Sequence, residues 1–273
     1  MDEITWMNRP TLTNALAIVA FTGWNDAGNA ASDAADTVRE QSQAGLIGII
    51  DHDEFEDYQE NRPTVSIDGG GSRRLEWPDT RVFASTKYDR DLIVVIGDEP
   101  ALRWKRLAKV LADGLRSLNV KEVISLGAFL GEVPHTRDVP IMGSFDEATR
   151  TKFGLRRSQH EGPTGIVGVL NHLFGNDGFE SGSLWAGCPH YLASHPNPKA
   201  TKALLEKLGL VAGLPIDATA LDEAILGWGE EVAHATTHTE LVEYLAELET
   251  EYDADVTEPE VLLSEIEDFL RKQ

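Results

Sequence analysis

Short apolar runs alternate with stretches whose apolar residues recur at helical spacing, and this alternation restricts the fold more than any other feature. Ala15–Phe21 is an unbroken apolar run and reads as a buried strand. The turn Thr22-Gly23-Trp24-Asn25-Asp26-Ala27-Gly28 follows. Ala27, Ala30, Ala31, Ala34, Ala35 and Val38 then fall on one helical face, small enough to lie close on a sheet. Gly45 ends that helix and Leu46–Ile50 forms the next strand, a β-α-β unit that predicts neighbouring parallel strands. The pattern returns with a strand at Leu92–Ile96, a helix opened by Pro100 and a strand at Val123–Gly127. Further on, Gly165–Phe174 reads as a helix and Ser183–Gly187 as a strand. A last core helix is capped by Asn197, has Pro198 at its first position and ends at Gly209. Residues 51–80 interrupt the order with Asp51, Asp53, Glu54, Glu56 and Asp57 and then Gly69-Gly70-Gly71, predicting an excursion with a strand near Val65 and a mobile loop. The expected fold is α/β: three layers, with helices on both faces of a mostly parallel or mixed sheet, spanning residues 1–216.

The remainder differs in kind. Residues 217–273 hold 17 Asp/Glu against 2 Lys/Arg, a net of −15, whereas residues 1–216 carry −7 of the total −22. Leu221, Ala224, Ile225, Trp228 and Val232 form one helical stripe. Leu241, Leu245, Leu248 and Tyr252 are spaced as in a helix–helix seam. Thr257-Glu258-Pro259-Glu260 is a capping box for a final helix bearing Leu262, Ile266 and Phe269. This predicts an acidic helical extension, residues 217–273, packed on the core or on another subunit. Its acids serve either as a solvated face or as a docking surface for a basic partner. The net charge repels nucleic acid and anionic membranes, so neither is an expected partner. No apolar run reaches the ~18–20 residues that span a bilayer. The start Met1-Asp2-Glu3 lacks a secretion signal, and a lone cysteine, Cys188, forms no internal disulfide, so a cytoplasmic location is expected. No internal repeat is visible.

In an open parallel sheet, ligands bind at the carboxyl ends of the strands. Three segments are expected to converge there. In the first, Asn25, Asp26 and Gly28 lead into the alanine helix, as an anion-binding helix start or as a turn with a helix cap. The second, Gly127–Arg137, brings Glu132, His135 and Arg137 together. Glu132 can orient His135 or act as a base, and Arg137 can hold a carboxylate or phosphate; equally, ion pairs can pin such a loop. The third, His160–Gly165, places Thr164 as a helix cap or beside an anion. Neither a Walker loop nor a dinucleotide fingerprint is present, and no cofactor is expected. Gly69–Arg74 reads as a surface loop with two cations. His234 and His238 have metal-like spacing but no third ligand, so no metal is expected. Cys188 before Pro189 reads as a buried, inert thiol, and Ser183 and Ser194 lack a nucleophile elbow.

Four of these segments together resemble the proteasome assembly chaperone 2 family, in its bacterial, actinobacterial-type branch. They are Gly23–Ala31, Gly131–Pro134, Gly162–Gly165 and His195–Ala200 with the following Leu204–Leu208, covering roughly residues 15–220. The resemblance implies an α/β/α core similar to the phosphorylase/hydrolase-like fold and a homo-oligomer, with a trimer as one form. It implies a protein-binding or assembly factor without catalytic activity and a proteasome-related protein partner. Some archaeal relatives dock through a C-terminal hydrophobic–tyrosine–any tripeptide. This chain ends Arg271-Lys272-Gln273, so contact through such a tail is not expected. The alternative is a small-molecule-binding protein or a hydrolase- or phosphorylase-like enzyme using the strand-end cleft.

Overall fold

The computed structural model describes residues 3–156, 162–193, 195–235 and 241–254. In chain order the strands are β1 (Thr5–Trp6), β2 (Ala15–Thr22), β3 (Gly45–Asp51), β4 (Thr64–Ile67), β5 (Arg73–Glu76), β6 (Asp79–Ser85), β7 (Leu92–Asp98), β8 (Val120–Gly131), β9 (Ile141–Ser144) and β10 (Glu180–Pro189). The helices are α1 (Ala30–Gln41), α2 (Trp104–Ser117), α3 (Glu147–Phe153), α4 (Ile166–Asn176), α5 (Pro198–Ala212), α6 (Asp222–Ala235) and α7 (241–254). Eight strands form one mixed sheet in the order β1-β3-β6-β7-β2-β8-β10-β9, and β4 and β5 form a separate hairpin.

Strand alternation sorts the core into two layers. Ala15, Ala17, Val19 and Phe21 of β2 face α2 and α4, with Ile93, Val95 and Val123 beside them. Leu16, Ile18 and Ala20 face α1 and α5, with Val94, Ile124, Leu126 and Leu184. β2 is central and covered on both faces, which is why it reads as a continuous apolar run. The all-alanine face of α1 is fully buried and packs against both the sheet and α5. The three-layer α/β reading therefore holds.

Topology departs from the sequence expectation in one respect. β3 is not the neighbour of β2, since β7 and β6 lie between them. β2 pairs in parallel with β7 and β8, and β8 with β10. β6 runs antiparallel to both β3 and β7. The excursion after β3 returns as β6 and inserts itself into the sheet, and apolar periodicity carries no information on strand direction. That excursion contains the hairpin β4–β5, which includes Val65 as expected. It also contains a buried cluster. His52 Nδ1 lies 3.0 Å from Glu56 Oε1, and its Nε2 lies 2.7 Å from Thr80 Oγ1.

Two helix ends also move. α2 begins at Trp104, after Arg103 in the left-handed region, and not at Pro100. α5 runs past Gly209 to Ala212 and closes at Gly213, whose φ is 66°. Gly209 lies inside the helix because the chain folds back on it: a Cβ there would sit 3.2 Å from the Leu214 carbonyl oxygen. In α6, Trp228 and Val232 are buried, while Ala224 is exposed. Leu248 is the buried residue of the α7 seam, flanked by half-buried Leu241, Leu245 and Tyr252. The final helix expected at 257–269, together with His160, Glu161, Ser194 and His238, lies outside the described residues. Among the described residues, no helix is long and apolar enough to cross a membrane, and no group of three His, Cys, Asp or Glu side chains is placed to hold a metal ion.

Candidate functional site

The described residues of the three expected segments lie along the carboxyl-end rim, and hydrogen bonds divide them into two clusters. The first is built around a residue that sequence reasoning missed, Glu99, just beyond β7. Its carboxylate accepts from the Trp24 N–H at 3.0 Å, the Asn25 Nδ2 at 2.6 Å and the Ile166 N–H at 2.9 Å. One carboxylate thus ties the turn after β2 to the start of α4. Gly165 caps α4 through its backbone alone, so Thr164 is not the side-chain cap expected of it; Glu99 supplies the anion there. Gly165 is required by close approach, since a Cβ at that position would fall on the Asn25 side chain.

Asn25 is fully buried, and its carbonyl oxygen accepts the Ala128 N–H at 2.7 Å, joining the first segment to β8. Asp26 is also buried. Its Oδ1 accepts from the Ala31 and Ser32 N–H groups at 2.7 and 3.1 Å, and its Oδ2 accepts the Ser32 hydroxyl at 2.5 Å. Asp26 therefore serves the first turn of α1. Burial raises its pKa above the usual carboxylate value, against the opposing pull of these hydrogen bonds. Gly28, at φ 63°, lets the backbone meet the loop before α5. Its carbonyl accepts the Asn197 N–H at 2.8 Å, and a Cβ would lie 2.7 Å from that of Asn197.

The second cluster holds the loop after β8. The His135 N–H donates to the Tyr191 hydroxyl at 2.9 Å, and its Nδ1 lies 2.8 Å from the same oxygen. Lys199, in the first turn of α5, donates to the carbonyls of His135 at 2.9 Å and Arg137 at 2.6 Å. Burial lowers the His135 pKa, Lys199 lowers it further and Glu249 opposes them. Desolvation also lowers the Lys199 pKa. Trp228 stands edge-on to the His135 ring at 6.4 Å.

Arg137 points to α7. Its Nε and Nη2 reach the two oxygens of Asp253 at 2.8 Å each, and Nη1 lies 3.3 Å from Glu249. The Asp253 carboxylate raises the Arg137 pKa. Thr136 donates to Glu249, the Tyr252 hydroxyl donates to the Asp138 carbonyl at 2.9 Å, and the Tyr244 hydroxyl lies 3.2 Å from His190 Nε2. The cation read as an anion holder thus meets an acidic helix of its own chain. Glu132 is exposed at the edge of this loop. Two open clefts lie elsewhere. One, of about 960 Å³, is at the amino ends of the strands between Asn14, Arg90 and Lys121; the other, of about 480 Å³, lies beneath the β4–β5 hairpin. Cys188 is buried with its thiol pushed up to about 12 by desolvation, far from a reactive thiolate.

The comparisons agree with this architecture. The PAC2 family model matches residues 20–236. A PAC2 family protein from Streptomyces avermitilis is 38% identical, with a TM-score of 0.77, over 84% of this chain and 99% of that one. A proteasome-assembly chaperone homologue from Mycobacterium tuberculosis is likewise 38% identical, with a TM-score of 0.76 over the same shares. The archaeal proteasome activator of Pyrococcus furiosus, at 20% identity and a TM-score of 0.68 over 85% of this chain and 97% of its own, shares the fold. No curated protein matches. The family match takes in the first cluster and the His135, Tyr191 and Lys199 part of the second, ending before α7, and this chain belongs to the PAC2 family.

Proposed function

We propose that the chain is a protein-binding assembly factor that acts on proteasome subunits without catalysing a reaction, and that it works as a homo-oligomer. The observation that carries this reading is how the rim groups are used. Asn25 and Asp26 belong to the joints among β2, β8, α1 and α4, and His135 and Arg137 are engaged by Tyr191, Lys199 and α7. A reaction centre needs a polar group facing open space with its proton or lone pair available. Here Asp26, His135 and Arg137 are spent on holding segments together, while Glu132 stands exposed at the edge of its loop. The kinship with a proteasome-assembly chaperone homologue at 38% identity supplies the partner class. In this reading residues 217–273 form the acidic extension, which presents its outer face to proteins.

The test is affinity capture from native lysate with the full chain as bait, followed by mass spectrometry and then by binding to the purified proteasome α subunits of the same organism. Co-purification of unassembled α subunits is expected. Recovery of the chain alone, with no binding to purified α subunits, would overturn the proposal.

A further inference from the structure

The open cleft of about 480 Å³ beneath the β4–β5 hairpin brings together aromatic and acidic groups from three segments. β3 supplies Asp51, the loop after it supplies Asp53 and Tyr58, and the corner between β5 and β6 supplies Leu75, Trp77 and Asp79. The Tyr58 and Trp77 rings pack edge to face, with centroids 4.9 Å apart. Tyr58 is half-buried and steadies the indole from one side, while Trp77 stays 51% exposed. Among the described residues, the arginines and lysines that lie over rings do so on Trp6, Phe83, Phe179 and Phe153, and none covers Trp77.

Charge in the cleft is unbalanced. Asp51, Asp53, Glu76 and Asp79 line it against Arg74 and Arg81. Each guanidinium already has a carboxylate beside it on its own strand: Arg81 Nε lies 2.9 Å from Asp79, and Arg74 Nε lies 3.9 Å from Glu76. Asp51 and Asp53 are left without a cation among the described residues. The Asp53 N–H donates to Asp51 Oδ1 at 2.7 Å, which holds the two acids side by side. Asp51 also stands directly opposite Asp79 in the β3–β6 register, and opposed like charges destabilise a sheet. Burial raises the Tyr58 pKa, and the Asp53 and Asp51 charges raise it further.

An acid pair beside an open indole face selects a cation on an apolar stem. Lysine has that form: its ammonium meets Asp51 and Asp53, and its methylenes lie on Trp77 and Leu75. The apolar surface continues beyond the cleft mouth. Val65 is directly opposite Leu75 in the hairpin, Ile67 shares its face, and the two are 54% and 65% exposed. A free amine leaves that strip bare, whereas a polypeptide that carries the cation covers it.

We propose that this cleft is a recognition pocket for a lysine side chain carried on an extended segment of another protein. The proposal rests on the protein-binding reading above and names the chemistry of one contact.

Fluorine NMR of the full chain labelled with fluorotryptophan tests it. The six indoles give separate signals, and Trp77→Phe identifies that of Trp77. The probes are acetyl-Ala-Leu-Lys-Leu-Ala-amide, the same peptide with norleucine in place of lysine, and n-butylamine. The lysine peptide is expected to shift the Trp77 signal saturably. The norleucine peptide should bind at least about tenfold more weakly, and n-butylamine should be weaker than the lysine peptide by a similar factor. Asp51→Asn/Asp53→Asn keeps the side-chain shapes and the acceptor at Asp51. It should weaken the lysine peptide at least about fivefold, with the circular dichroism spectrum and melting midpoint unchanged, and added salt should weaken it in the wild type. An unmoved Trp77 signal, or equal binding of the lysine and norleucine peptides, would overturn the pocket. Binding of n-butylamine as tight as that of the peptide would overturn the assignment to a partner chain. Lysine-peptide binding without capture of α subunits would uphold the pocket and overturn the proteasome reading alone.

Discussion

Replacing Glu99 by alanine tests the idea that one carboxylate joins the turn after β2 to the start of α4. Three donors lose their acceptor: the N–H groups of Trp24 and Ile166 and the side-chain amide of Asn25. They do not count equally. The Trp24 bond is exposed, so water replaces it at little cost. The Ile166 N–H is a free donor in the first turn of a helix, where an anionic acceptor is worth about 1 kcal/mol. The Asn25 side chain is fully buried, and its Oδ1 has no hydrogen-bond partner among the described residues. Stripping its amide as well leaves a buried donor unpaired, at about 1–3 kcal/mol. The expected loss is therefore about 2–4 kcal/mol, or roughly 5–12 °C in the melting midpoint for a domain of this size. Urea unfolding followed by tryptophan fluorescence measures it, with an unchanged slope showing that only stability has moved. Glu99→Gln, which keeps the shape and one carbonyl acceptor, should fall between wild type and Glu99→Ala. A double-mutant cycle with Asn25→Ala should show coupling of about 1 kcal/mol or more. A loss for Glu99→Ala below about 1 kcal/mol, or strict additivity with Asn25→Ala, would refute the reasoning.

Other outcomes follow from the same geometry. Gly165→Ala drives a Cβ into the buried Asn25 side chain and should cost about 1–3 kcal/mol in the same assay. Burial and Lys199 hold the His135 pKa below its usual 6.5, so the folded state takes up that proton less readily than the unfolded state. The stability this gives is present above pH 6.5 and is lost as pH falls toward the depressed value; His135→Gln should flatten that part of the stability–pH curve. Arg137→Glu sets like charges against Asp253 and Glu249. Amide exchange in residues 241–254 should then accelerate by about tenfold or more, while that of β2 and β8 stays unchanged. Cys188 should resist thiol reagents in the native protein and react on unfolding, which a timed labelling experiment reads directly.

The layered fold was legible because its signals are local. The apolar run Ala15–Phe21, the alanine face from Ala30 to Val38 and the Asn197-Pro198 start each specify one element from their own residues. Neighbour relations were not legible: nothing in Leu46–Ile50 says that β6 and β7 separate it from β2. Asn25, Asp26 and Gly28 lie on the rim, and the motif around them is a joint between elements. Its acceptor, Glu99, lies 74 residues away in sequence and follows a strand with no motif of its own. The sequence leaves Arg137 either as a holder of a ligand anion or as an ion pair that pins its loop, and Asp253 and Glu249 supply the ion pairs. The acidic tail stands out by charge, but its pairing with Arg137 depends on how α7 returns to the sheet. Gly209 misled because a glycine late in a helical pattern signals a stop, whereas here it admits the returning chain.

Reconstitution of proteasome assembly from purified α and β subunits, with and without the full chain, tests the central claim most directly. The account predicts a stable complex between the chain and free α subunits, a faster appearance of peptidase activity, and no chain left on the finished particle. Assembly at an unchanged rate, with α subunits and the chain migrating separately throughout, would contradict it.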